Sequence, residues 1–92
     1  MSRAPVRVVL YTAQGCGLCA RAEQTLRDRA PALGYDLEVV SIDGDPELER
    51  RHRLDLPVIE IDGRVEFTLI VPPSQLERVV RSAQARLAQP GS

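Results

Sequence analysis

One switch of hydrophobic period constrains this chain more than any other feature. Val6-Arg7-Val8-Val9-Leu10-Tyr11 is a nearly continuous β-branched and apolar run, which reads as a strand buried on both faces. Thr12-Ala13-Gln14-Gly15 breaks it. From Cys16 onward Leu18, Cys19, Ala22 and Leu26 recur at helical spacing, with Arg21, Glu23 and Arg27 between them. A strand thus runs directly into a helix, with cysteines at the junction and three residues beyond it. The helix is expected to end near Asp28–Ala30, because Pro31 cannot extend it and disfavours helix at the residue before.

The remaining elements follow from similar signals. Leu37-Glu38-Val39-Val40-Ser41-Ile42 reads as a second strand, closed by Asp43-Gly44. Asp45-Pro46 supplies an N-cap and a first-turn proline for a short helix over Glu47–Arg53, with Leu48, His52 and Leu54 on or near one side. Val58-Ile59-Glu60-Ile61 is a third strand. Asp62-Gly63 is a two-residue hairpin signal, and Arg64-Val65-Glu66-Phe67-Thr68-Leu69 returns as the fourth. Ser74 with Glu77 forms a capping-box pattern opening the last helix, whose apolar stripe is Leu76, Val79, Val80, Ala83 and Leu87. The order β-α-β-α-β-β-α, with a right-handed first crossover, makes the first two strands parallel and the last two antiparallel. The expected architecture is α/β: a four-stranded mixed sheet covered by helices.

A chain of 92 residues has room for one domain, expected over 1–92 with short flexible ends at 1–5 and 89–92. A net charge of −1 offers no basic excess for nucleic acid or an anionic membrane surface. Val8-Val9-Leu10 and Leu69-Ile70-Val71 are strand-sized rather than membrane-spanning, and the first residues lack the apolar core of a signal peptide. The chain is therefore expected in the cytoplasm, as a monomer. In that reducing compartment two cysteines point to catalysis, redox sensing or metal binding rather than to a structural bridge.

Placement gives the cysteines their chemistry. At a helix N-terminus the free N–H groups and the macrodipole favour an anion, so a Cys16 thiolate is stabilised there. Such placement lowers a cysteine pKa from about 8.5 into a range of about 3.5–7.5. Cys19, one turn later, is positioned to attack a mixed disulfide on Cys16 and release the product. Gly17 is small and leaves the Cys16 sulfur open to a disulfide. The alternatives are a pair that only packs, or part of a metal site. Zinc needs four ligands and the chain's other soft candidate is His52, so a site of that kind requires a second copy.

Tyr11-Thr12 before Cys16-Gly17-Leu18-Cys19, then Ile42-Asp43-Gly44-Asp45-Pro46-Glu47-Leu48, Leu56-Pro57-Val58 and Ile61-Asp62-Gly63, resembles the bacterial glutaredoxin-like group of the thioredoxin superfamily. The resemblance runs from about Val6 to Leu87. It implies a thioredoxin fold with Cys16 as nucleophile and Cys19 as resolving thiol. It also implies a cis Pro57 facing them, and Gly17, Leu18, Leu56 and Pro57 on the substrate side. There the Leu56 backbone pairs with an extended substrate. From composition alone Pro57 is an ordinary strand-start proline.

What the resemblance implies is a thiol–disulfide oxidoreductase acting on a protein or low-molecular-weight disulfide. It has no cofactor beyond its own dithiol, with glutathione or thioredoxin as thiol reductant. An interaction module without turnover and a metal or iron–sulfur carrier bridged through Cys16 are the alternatives. Three departures stand out. Glutaredoxins typically carry C-P-Y-C, a basic residue shortly before it, and a Gly-Gly-x-Asp stretch before the last helix for the γ-glutamyl end of glutathione. This chain has Cys16-Gly17-Leu18-Cys19, Gln14 and Pro72-Pro73-Ser74. The Ser74 cap and the free helix N–H groups are what remains there to hold a carboxylate.

Other residues carry plainer expectations. His52, between Arg51 and Arg53, reads as a half-exposed surface histidine. Arg50, Arg51 and Arg53 share their turns with Glu47 and Glu49, a mixed-charge solvated face. Tyr11 reads as core or rim packing near the motif, and Tyr35 and Phe67 as core or its edge.

Overall fold

A computed structural model describes residues 5–88; most of the expected flexible ends, 1–4 and 89–92, lie outside the described residues. The elements are β1 (Val6–Thr12), α1 (Gly17–Leu33), β2 (Tyr35–Ser41), α2 (Pro46–His52), β3 (Val58–Ile61), β4 (Arg64–Thr68) and α3 (Pro73–Ala88). A 3-10 turn over Arg53–Asp55 follows α2. The strands form one sheet in the order β2-β1-β3-β4. β1 runs parallel to β2 and antiparallel to β3, and β3 runs antiparallel to β4. Asp62 (φ 55°) and Gly63 (φ 80°) are both left-handed, the geometry a two-residue hairpin needs to match strand twist.

β1 is buried on one face, not two. Val6, Val8 and Leu10 point into the core with Leu26, Ile59, Ile61, Leu76 and Val80, whereas Arg7 is exposed and Val9 half-buried. The long helices α1 and α3 share the core face, while the opposite face has only the short α2. Leu54 does not join α2's apolar side. The chain tightens into the 3-10 turn and leaves Leu54 93% exposed.

α1 passes through Pro31 to Leu33, beyond the expected end. An interior proline costs about 3 kcal/mol, but Pro31 sits in the last turn on an exposed side, where water reaches the carbonyl it leaves without a donor. Continuing buries Leu33. Gly34 (φ 77°) then caps the helix, donating its N–H to the Ala30 carbonyl at 2.8 Å, and Gln84 Nε2 donates to the Leu33 carbonyl at 2.6 Å. The Tyr35 hydroxyl donates to the Leu26 carbonyl, tying β2 to α1. Burial pushes the Tyr35 phenol up to about 12, so it stays a neutral donor at any ordinary pH.

α3 opens two residues earlier than a Ser74 cap implies. Pro73 takes the first helical position, where its missing N–H costs nothing, and the Pro72 carbonyl accepts from Leu76 N–H at 2.9 Å. Ser74 therefore lies inside the first turn and is not the cap. Glu77 pairs with Arg81 at 3.0 Å instead of closing a capping box. β4 stops at Thr68. Leu69 turns left-handed (φ 73°) as its N–H reaches the Pro57 carbonyl at 2.9 Å, which carries the chain off the sheet edge.

Candidate active site

Two loops meet where β1 hands over to α1. β1 ends at Thr12, whose carbonyl accepts from Ile42 N–H at 2.9 Å. The following Gln14 N–H donates to Asp43 Oδ2 at 2.7 Å, and Asp43 is itself held by Ser41 Oγ at 3.1 Å through its backbone N–H. Gly15 (φ 76°) then turns the chain into α1. The Asp43 carboxylate thus clamps the loop that presents the first cysteine.

Cys16 is the N-cap of α1, in extended conformation (φ −94°, ψ 105°). Its Sγ accepts from Cys19 N–H at 3.1 Å, the bond a serine or aspartate oxygen makes at other helices. Its carbonyl accepts from Ala20 N–H at 3.1 Å. The two cysteines form a disulfide with Cα atoms 5.2 Å apart. They differ sharply in access: Cys16 is partly exposed, whereas Cys19 is 1% exposed and packed in the core. Gly17 is exposed, and a Cβ added there meets nothing within 4 Å, so the surface at the residue after Cys16 is open. The depression at Cys16 is otherwise lined by Thr12, Ala13, Gly15, Ala20 and Glu23, with no cationic side chain among the described residues.

Leu18 is 45% exposed. The Leu56–Pro57 peptide is cis, Pro57 is buried, and Leu56 is half-buried and extended (φ −63°, ψ 141°). Since Leu69 N–H bonds the Pro57 carbonyl, the segment Leu69–Val71 is fastened beside this proline. Together with Leu18, Arg21, Ala22 and Thr25 it lines a groove of about 180 Å³. The sequence reading missed Leu69, Ile70 and Asp43. Three apolar residues followed by Pro-Pro were a signal that the strand could not continue. The Asp43 partner, 29 residues away, left no local trace.

His52 is buried, at 6% exposure, rather than half-exposed. Its ring stacks on Tyr11 with centroids 4.4 Å apart, because α2 lies on the otherwise uncovered end of β1. The Tyr11 phenol is raised from its ordinary pKa by burial and then by nearby Glu60. Nε2 of His52 is buried with no hydrogen-bond partner among the described residues, and an unsatisfied buried nitrogen costs about 1–3 kcal/mol. His52→Phe should keep the stack and raise the urea midpoint by that amount of stability; a lowered midpoint would show that the nitrogen is satisfied. Arg50 and Arg53 pair with Glu47 and Glu49, as a mixed-charge face should. Among the described residues no three His, Cys, Asp or Glu side chains gather closely enough to hold a metal ion, and no helix is long and apolar enough to cross a membrane.

Comparison with known proteins agrees with this geometry. Residues 7–84 match the model of the glutaredoxin-like domain family (DUF836). Uncharacterized proteins of Mycobacterium tuberculosis and Mycobacterium bovis are 35% identical over 63 residues, which is 63% of this chain and 65% of each relative's length. Among solved structures, a protein of Nitrosomonas europaea superposes with a TM-score of 0.72 at 23% identity, covering 86% of this chain and 95% of that one. Chloroplastic thioredoxin z gives 0.67 at 24% identity, with 90% and 81% covered. Thioredoxin 1 of Thermosipho africanus gives 0.65 at 11% identity, with 90% and 99% covered. The fold is the thioredoxin fold.

Proposed function

This chain belongs to the glutaredoxin-like domain family (DUF836), and from that premise we propose that it is a thiol–disulfide oxidoreductase with Cys16 as nucleophile and Cys19 as resolving thiol. The observation that carries this reading is the unequal placement of the two sulfurs. One caps a helix and is reachable from solvent; the other is buried one turn below it. Cys16 Sγ, which accepts the Cys19 N–H in the disulfide form, lies at the positive end of a 17-residue helix whose first turn holds no acidic residue, a place that favours a thiolate once the pair is reduced. Cys19, removed from water, is disfavoured as a thiolate until a mixed disulfide stands beside it.

The steps follow. The Cys16 thiolate attacks one sulfur of a substrate disulfide, a new S–S bond forms, and the substrate's other sulfur leaves as a thiolate that takes a proton from water. Cys19 then loses its proton and attacks Cys16 Sγ. This forms the Cys16–Cys19 disulfide and releases the second substrate thiol. The substrate gains two electrons and two protons, and the dithiol loses them. An external thiol reductant, glutathione or a thioredoxin-type dithiol, restores the pair by the reverse exchange. Such a cycle belongs in a reducing compartment, the cytoplasm.

The pH dependence of Cys16 alkylation, followed by mass in the reduced wild type and in Cys19→Ser, tests this directly. The expected result is fast modification with a midpoint below the free-thiol value of about 8.5. A Cys16 that titrates as a free thiol, or does not react, would overturn the assignment.

A further inference from the structure

We infer that the disulfide this site takes is carried by a polypeptide with an apolar residue beside its cysteine, and that glutathione disulfide is a poor substrate. The inference rests on the oxidoreductase reading and names its substrate class. Leu18, Leu69 and Ile70 are 45, 48 and 63% exposed, and they converge on a single groove over the first turns of α1. Scattered apolar side chains on a surface mean little, but a set gathered at one site marks a contact surface. Continuity is built in. Leu18 is two residues from Cys16, and the far wall is hydrogen-bonded through Leu69 to Pro57, next to the extended Leu56 backbone.

The groove's size and chemistry select among occupants. At about 180 Å³ it is smaller than the roughly 300–1,000 Å³ of a small-molecule site. It suits one aliphatic side chain of a longer ligand, as the anchor of a peptide contact does. Arg21 is its one charged lining residue. Glutathione carries two carboxylates and an ammonium, which need polar partners. The start of α3 is poorly equipped to supply them. Of the four N–H groups a helix N-terminus normally leaves free, two are absent at Pro72 and Pro73, so only those of Ser74 and Gln75 remain. The depression around Cys16 adds Glu23 and, among the described residues, no cationic side chain, so a dianionic small disulfide finds little charge complementarity there.

Single-turnover oxidation of the pre-reduced protein tests this, with three probes compared by acid quench and mass. The probes are a peptide disulfide with Leu next to the cysteine, the same peptide with Ser there, and glutathione disulfide. The Leu peptide should react about tenfold faster than either of the others, the discrimination a shallow apolar pocket gives. Ile70→Ser, used only where circular dichroism shows it folded because an unfolded dithiol reacts without preference, should shrink the Leu-to-Ser ratio towards one. Equal rates on all three probes, or glutathione disulfide as the fastest, would overturn the inference and leave the dithiol chemistry intact. Failure to oxidise Cys16–Cys19 with any probe would remove the oxidoreductase reading and the inference with it. A preference that vanishes at high protein concentration, alongside a dimer in sedimentation, would assign the groove to a second copy of the chain and also overturn it.

Discussion

Cys16→Ser should abolish disulfide reduction, a loss on the order of a thousandfold or more, as expected when a covalent nucleophile is removed. The hydroxyl can replace the sulfur as N-cap and accept the Cys19 N–H, so the helix start survives while the chemistry does not. Cys19→Ser should stop the cycle one step later. The first exchange should still occur at the accessible Cys16, no resolving thiol follows, and the protein should accumulate with the substrate thiol attached. Intact mass under non-reducing conditions distinguishes the two: no adduct for Cys16→Ser, one stable adduct for Cys19→Ser. Turnover retained in Cys16→Ser, or an adduct that forms on Cys19 instead, would reverse the assigned roles. The unequal burial of the two sulfurs makes that second outcome physically costly, because a substrate disulfide would have to reach a side chain that is 1% exposed.

The largest expected stability effect lies at Leu26. It is fully buried on α1 between the sheet and α3, and its carbonyl accepts the Tyr35 hydroxyl. Leu26→Ala removes buried methyl groups from a close-packed core and leaves a cavity, which costs about 2–5 kcal/mol. For a domain whose total stability is about 5–15 kcal/mol, that is a large share. With a urea slope of about 1–3 kcal/mol per molar, the unfolding midpoint falls by about 0.7–5 M. Leu54→Ala is the matched control: the same chemistry at a nearly fully exposed residue should change stability by no more than about 0.5 kcal/mol. Similar losses at the two positions would mean that the core is not where it has been placed.

Much of the site was legible in the linear chain because its chemistry is local. Cys16 and Cys19 lie within one helical turn. The strand before them and the helix after them are written in the spacing of Val8, Leu10, Ala22 and Leu26, and the N-cap position follows from where one period replaces the other. The Asp62-Gly63 hairpin and the Asp45-Pro46 helix start were readable for the same reason, each depending on two adjacent residues and on backbone angles that those residues favour.

The errors share a different cause. His52 was read as half-exposed because its neighbours Arg51 and Arg53 are charged. What buries it is Tyr11, 41 positions earlier, met only when α2 crosses the sheet. Pro31 looked like a helix end because its local cost is real, and burial of Leu33 with the Gln84 bond to the Leu33 carbonyl outweighs it. Ser74 fitted a capping pattern that Pro73 pre-empts.

By itself, then, the sequence determined the order of elements, the parallel β1–β2 pair and the antiparallel β3–β4 pair, and the two cysteines as a helix-terminal pair, because each depends on neighbours along the chain. Only the tertiary structure decided that Asp43 clamps the loop before Cys16, and that Leu18 meets Leu69 and Ile70 in one groove. Those contacts join residues about 30 to 50 positions apart, and no local propensity encodes a contact whose free energy appears only when distant surfaces leave water together.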